Sequence, residues 1–298
     1  MIIPPYLKQG DDVIIIATAR KISVDELNPV LQIFESKGLN VLLGPHLFDI
    51  EDQFAGTDQA RQHDLQWAIN HPTAKAIVIA RGGYGSVRLL SDLDFSSLKK
   101  YPKWLVGYSD VTVLHNAFHN YHIATLHATM PLNFTKNEEA TQGLFDALFG
   151  NLIQTNTNTI TTYNKVGVTT AEIVGGNLSL LYSLSGTPFD IQTDGKILFI
   201  EDLDEYLYHV DRMMMQLKLA GKLKNLAGLI VGGMSDMKDN PIPFGKTAEE
   251  IIHDATKEYE YPVCFQFPAG HIDKNLPLYF GKLATLNIQP ESVTLTYK

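Results

Sequence analysis

The chain has 298 residues, 45% of them hydrophobic and 19% charged, which admits one large domain or two modest ones and excludes wholesale disorder. With 24 basic and 33 acidic side chains the net charge is -9, which speaks against nucleic acid or an anionic lipid surface as a partner. A single cysteine, Cys264, excludes an internal disulfide and a multi-thiolate metal site.

No run approaches the roughly 18 apolar residues of a membrane span. The first apolar run, 13–17, is short, and Asp11 and Asp12 precede it with no basic segment in front. A secretory signal is therefore not expected, and the reading is a soluble cytoplasmic protein with no membrane partner.

In chain order, 13–18 (VIIIAT) reads as a buried strand. A helix follows, starting either at Ser23, with Glu26 at capping-box spacing, or at Asn28-Pro29, and closing at Gly38. A strand at 40–43, an amphipathic helix at 57–70 and a buried strand at 76–80 come next. That last strand enters the turn Arg81-Gly82-Gly83-Tyr84-Gly85. A fourth strand, 104–106, runs into Gly107-Tyr108-Ser109-Asp110, followed by a helix to Asn120 and a fifth strand at 123–126. Strands alternating with helices predict a mostly parallel sheet, with ligands beyond the carboxyl ends of its strands.

From 149 to 165 the chain is rich in Thr and Asn and nearly uncharged, which fits a linker or a polar edge strand. Beyond it lie a short helix at 177–185, a strand at 196–200 ending in Glu201-Asp202, and a helix at 208–220. A strand at 226–231, a helix at 247–258 and a strand at 263–267 follow, the last ending in Pro268-Ala269-Gly270-His271. Residues 283–288 and 293–297 form a terminal hairpin. The division is an N-terminal domain over 1–150, a linker over 151–170 and a C-terminal domain over 171–298.

Gly107-Tyr108-Ser109-Asp110 has the form of a nucleophile elbow, in which a sharp strand-to-helix turn lifts a serine hydroxyl toward the helix amino end. The G-x-S-x-G pattern is incomplete because Val111 stands at its last position, and a plain helix cap accounts for the same residues. Glu201 and His271 each end a strand, so Ser109, Glu201 and His271 follow the serine–acid–histidine order also found in α/β-hydrolases. The glycine turn at 82–83 suits a second oxyanion donor beside the elbow. It lacks G-x-G-x-x-G spacing, and no Walker A motif occurs, so no cofactor is expected. His115, His119, His122 and His127 cluster in sequence without a common metal spacing, and no metal is expected. Cys264 sits in a strand pattern and reads as core.

Together these segments resemble the LD-carboxypeptidase family of serine peptidases, which includes murein tetrapeptide carboxypeptidases and microcin immunity peptidases. The resemblance rests on AGTDQARQHDLQWAINHP (55–72), AIVIARGGYGSVRLL (76–90), VGYSDVTVLH (106–115) and HATMP (127–131). It continues through GGNLSLLYSLSGTPF (175–189), ILFIEDLDEYLYHVDRMMMQL (197–217) and PAGHIDKNLPLYFG (268–281). It implies a flavodoxin-like N-terminal parallel-sheet domain and a smaller α/β C-terminal domain, with the active site in the cleft between them. By the same resemblance Ser109 is the nucleophile, His271 the base and Glu201 its orienter. The backbone N–H groups of Asp110 and Gly83 would make the oxyanion hole.

The activity implied is hydrolysis of the LD amide bond to a terminal D-Ala in a murein tetrapeptide, by a homodimer. The same triad serves as an alternative a peptidyl-adenylate resistance amidase, and a catalytically silent peptide binder remains a third reading. Arg81, Tyr84 and Arg88 are the substrate-binding candidates, the arginines for the terminal carboxylate. The chain departs from the family at Ala128-Thr129, where Gly-Pro is common, and at Ile272, where Gly is frequent.

Overall fold

Unbroken runs of Ile and Val leave no polar face, so the strands that carry them must be covered on both sides. The computed structural model, which describes residues 1–151 and 153–298, builds such a sheet from the first part of the chain. Strands β1 (Asp12–Ile16), β2 (Asn40–Leu43), β3 (Ala76–Ile79), β4 (Trp104–Gly107) and β5 (Thr125–His127) are parallel. Their order, β5-β4-β3-β1-β2, is the flavodoxin-like order expected. Helices α1 (Val24–Ser36), α2 (Asp58–Asn70), α3 (Thr112–Asn120) and α4 (Glu138–Phe149) connect or follow these strands.

Between the two possible starts of α1, the capping box prevails. Ser23 Oγ accepts the Glu26 N–H at 3.2 Å, and Glu26 Oε2 accepts the Ser23 N–H at 2.8 Å. Pro29 lies inside the helix. Two donors that would otherwise lack partners are satisfied at Ser23, which outweighs the intrahelical bond that Pro29 cannot make.

The second sheet holds β6 (Gln154–Thr157), β7 (Gly167–Asn177), β8 (Ile197–Leu203), β9 (Gly228–Ser235) and β10 (Val263–Cys264). Strand β11 (Leu278–Phe280) belongs elsewhere, and β12 (Leu283–Ile288) and β13 (Val293–Tyr297) complete the second sheet as the expected hairpin. The order is β10-β9-β8-β7-β12-β13-β6, parallel from β10 to β7 and antiparallel beyond. Helices α5 (Leu178–Ser183), α6 (Leu207–Leu219) and α7 (Ala248–Thr256) accompany it. Met213, Met214 and Leu217 of α6 pack with Ile251 and Ile252 of α7 into the core of this unit.

Three details add to or differ from the expectations. Of the two readings of the Thr- and Asn-rich segment, linker or polar edge strand, the edge strand is the one formed: β6 lies there, and β7 begins within the 151–170 boundary; Leu152 lies outside the described residues. Its alternating Thr residues suit an edge, where one face meets water. The strand expected at 263–267 stops at Cys264, because Gln266 turns into the left-handed region at φ 55°. The chain also forms two compact units that are not two continuous stretches. One is Met1–Leu152 with Leu276–Gly281, the other Ile153–Asn275 with Lys282–Lys298. The returning piece is β11, which pairs antiparallel with β5 and covers that edge of the first sheet.

The helix start gives a direct test. Ser23→Ala is expected to destabilise the protein by about 1 kcal/mol in urea unfolding. Asn28→Ala is expected to stay within about 0.5 kcal/mol. The reverse pattern would place the helix start at Asn28.

Candidate active site

Strand β4 ends at Gly107, and the chain turns through Tyr108 and Ser109 into a single 3-10 turn, Ser109–Val111, before α3. Ser109 has φ 64°, a left-handed conformation that costs a non-glycine residue roughly 1–3 kcal/mol. That strained serine between strand and helix is the elbow geometry predicted. Val111 at the position of the missing glycine is accommodated from the other side. A Cβ at Gly107 would come within 2.8 Å of the Val111 side chain, so the close approach is made at Gly107 instead.

The elbow is held from beneath by a buried histidine. His115 Nε2 lies 2.9 Å from the Gly107 carbonyl and Nδ1 lies 2.8 Å from Thr125 Oγ1. A carbonyl only accepts, so Nε2 carries the proton and Nδ1 receives the threonine hydroxyl. Burial pushes the His115 pKa down to about 4, which leaves the ring neutral and structural. Ala128, at one departure from the family, is buried and donates its N–H to the same carbonyl at 3.2 Å.

The glycine turn after β3 lies against Ser109. A Cβ at Gly82 would sit 3.2 Å from Ser109 Cβ and 3.3 Å from its Oγ. Gly83 has φ 130° and backs onto the methylenes of Arg20, which a Cβ there would meet at 2.5 Å. Asp110, buried beside the serine, ties this turn down with its side chain. Its Oδ2 accepts the Ser86 N–H at 2.8 Å, and Ser86 Oγ is 2.6 Å from Thr18 Oγ1. Arg61 donates to the Thr18 carbonyl at 2.7 Å, pairs with Asp58 and lies 4.8 Å over the Phe54 ring. Burial raises the Asp110 pKa, while hydrogen bonds from Ser86 and Gly85 and the charge of Arg61 act the other way.

Sequence reasoning named the Asp110 N–H but missed its carboxylate, and it missed Thr18, Arg20, Arg61 and Ser86. No spacing rule links those positions. The only signal was a polar Ser86 closing a glycine turn.

Both candidate arginines have protein partners. Arg88 Nε lies 2.7 Å from Asp58 Oδ2, whereas Arg81 donates to the Lys21 carbonyl at 3.0 Å and lies 3.9 Å from Glu26 Oε1. Tyr84 is exposed, with its ring 6.4 Å from that of Phe54.

In the second unit, β8 carries Glu201 to its carboxyl end, fully buried. Its Oε2 accepts two hydrogen bonds from one residue, the His271 backbone N–H at 3.0 Å and the His271 ring at Nδ1, 2.6 Å away. Glu201 Oε1 has no hydrogen-bond partner among the described residues. Burial works against a charged His271, but the charge and hydrogen bond of Glu201, with the charge of Asp202, outweigh it and raise the imidazole pKa. Asp202 is pushed up to about 7, by burial first and by Glu201 second. It is held by Asn177 Nδ2 at 2.8 Å and the Ser179 N–H at 2.9 Å.

The loop that presents His271 depends on two close approaches. Gly270 has φ 101°, its N–H donates to Asn275 Oδ1 at 2.8 Å, and a Cβ there would meet Glu201 Oε2 at 2.7 Å. Ile272, the second departure from the family, packs over Gly233, where a Cβ would come within 2.6 Å of its Cγ2. Ser235 Oγ donates to the His271 carbonyl at 2.6 Å.

Gly270→Ala therefore must displace Glu201 as well as strain the backbone. Its urea midpoint is expected to fall further than that of Gly186→Ala, which has φ 74° but open space where its Cβ would go. About 1 kcal/mol is expected for Gly186→Ala and about 2–4 kcal/mol for Gly270→Ala. Equal losses would mean that Gly270 serves only its backbone angle.

The geometry of both units agrees with their similarity to known proteins. The chain matches the LD-carboxypeptidase N-terminal domain over residues 13–128 and the LD-carboxypeptidase C-terminal domain over residues 170–286. It is 34% identical over 298 residues to the probable murein peptide carboxypeptidase of Bacillus subtilis, covering 98% of this chain and 93% of that one. The crystal structure of muramoyltetrapeptide carboxypeptidase from Oxalobacter formigenes has a TM-score of 0.87 and 26% identity, covering 96% of this chain and 98% of that one. A microcin self-immunity protein, MccF, in complex with aspartyl sulfamoyl adenosine shares the fold, at a TM-score of 0.86 and 18% identity over 100% and 99% of the two chains. Two matched domains and a full-length relative show that the chain belongs to the LD-carboxypeptidase family and is a serine-type carboxypeptidase.

Proposed function

We propose that this enzyme hydrolyses the LD amide bond to a terminal D-Ala in murein tetrapeptides, through a triad of Ser109, His271 and Glu201. The observation that carries the reading is the 2.6 Å contact between Glu201 Oε2 and His271 Nδ1. A carboxylate only accepts, so Nδ1 holds the proton and Nε2 is left as the base. Ser109 gives its proton to Nε2 and attacks the peptide carbonyl. The backbone N–H groups of Asp110 and Gly83 stabilise the oxyanion. Protonated His271 then passes its proton to the leaving amine of D-Ala, and water, activated by the same nitrogen, releases the acyl group.

The substrate ends in a carboxylate, and Arg81 suits it better than Arg88. The Arg88 charge is compensated by Asp58 at 2.7 Å, while the Glu26 carboxylate stands 3.9 Å from Arg81. Tyr84, exposed on the same turn, completes this substrate-facing set. The reading extends to a homodimer acting in the cytoplasm on recycled murein peptides, the setting that the family resemblance implies.

The raised His271 pKa has opposite consequences for stability and rate. The stability it contributes is complete below the unfolded value near 6.5 and is lost as pH rises through the folded value. A base must be neutral, so the rate rises over that same interval.

The test is mass spectrometry of L-Ala-γ-D-Glu-diamino acid-D-Ala incubated with wild type and Ser109→Ala. Wild type is expected to release D-Ala, and Ser109→Ala to lose at least about 10³-fold in rate while remaining folded. An intact tetrapeptide with wild type, alongside cleavage of a peptidyl-adenylate, would overturn the murein reading in favour of the resistance amidase.

A further inference from the structure

We propose a binding site for a divalent transition-metal ion of the zinc class in the first unit, formed by His46, His63 and Asp64. It involves none of the residues assigned to the serine chemistry and does not depend on that assignment. One potential ligand atom from each of the three residues lies within 4.8 Å of the others. His46 stands in the turn after β2, while His63 and Asp64 are consecutive residues of α2. The two imidazoles meet edge to face with centroids 5.3 Å apart.

The anchor of the cluster is rigid. Asp64 is buried on α2, and its Oδ2 accepts the His46 N–H at 2.9 Å. A Cβ at Gly44 would lie 2.4 Å from that oxygen, so the turn bearing His46 is seated directly on the carboxylate. The other oxygen, Oδ1, is 3.5 Å from His63 Nδ1. That is long for a charge-assisted hydrogen bond, which closes to about 2.7–2.9 Å. It is close to the ~3.4 Å that separates two ligands each ~2.0–2.1 Å from one tetrahedral zinc ion.

The surroundings favour a cation as well. Asp49 Oδ2 lies 2.8 Å from His46 Nδ1, a carboxylate–imidazole contact of the kind that orients metal-bound histidines. The ion pairs of Asp49 and Asp64 among the described residues are with these two histidines, which carry no charge when neutral. Two carboxylates therefore share a patch without a lysine or arginine partner. His63 is exposed, so an ion can enter from solvent and keep a water as its fourth ligand. Two imidazoles and one carboxylate make a donor set suited to zinc, and magnesium favours oxygen donors instead. A bound ion would clamp the turn after β2 to α2 and stabilise the folded state by mass action.

The test is isothermal titration of untagged full-length protein with Zn2+, with Mg2+ as the comparison ion, supported by thermal unfolding in each. One equivalent of Zn2+ is expected to bind and raise the Tm, with no effect of Mg2+ at the same concentration. His63→Gln, at an exposed position, is expected to weaken Zn2+ binding by more than about tenfold. Asp49→Asn is expected to weaken it by about 10–100-fold. Co2+ bound in place of Zn2+ is expected to show the visible absorption of a tetrahedral site. Absence of saturable Zn2+ binding up to about 1 mM, or affinity unchanged in both variants, would overturn the proposal.

Discussion

A carboxylate withdrawn from water near the end of β8 holds the loop that presents His271. Burying Glu201 as an anion is costly unless hydrogen bonds replace its hydration. Here both bonds come from one residue, the backbone N–H and the ring of His271, on a single oxygen. That bidentate grip fixes where the imidazole sits and which nitrogen holds its proton. It also dictates the neighbours. Residue 270 must lack a side chain, because any Cβ would collide with Glu201, and Asn275 must hold the glycine's N–H. Asp202 cannot add a full second charge without cost, and burial beside Glu201 pushes it up to about 7.

The first unit follows the same logic with different groups. The strained Ser109 is not held by its strand alone. His115, kept neutral by burial, fixes the carbonyl of Gly107, and Asp110 anchors the glycine turn through Ser86. Each device is a buried polar group that fixes a backbone atom, which makes the local geometry rigid at some expense of stability. Arg61 extends this network to α2, so the turn that faces Ser109 is tied to a helix end as well as to a strand.

The parts that could be read in the sequence are those encoded locally. Runs such as VIII and AIVI announce buried strands, and Ser23 with Glu26 marks a helix start at a fixed spacing. Ser109, Glu201 and His271 stand out as candidates because each follows an apolar run in the sequence. What stayed hidden depends on partners far apart in the chain. Nothing around Leu278 indicates that it returns to pair with β5. Arg88 looks like a free cation until α2 brings Asp58 against it. The early end of β10 is set by a left-handed Gln266, which periodicity does not report, and only the pairing of β6 with β13 decides between the linker and edge-strand readings of its segment.

The central claim is that Glu201 tunes His271, and the most direct measurement is the pH titration of the His271 ring by NMR in wild type and Glu201→Gln. The account predicts a wild-type pKa above the ordinary histidine value near 6.5, and a lower one in Glu201→Gln. A wild-type value at or below 6.5, or one that Glu201→Gln leaves unchanged, would contradict it.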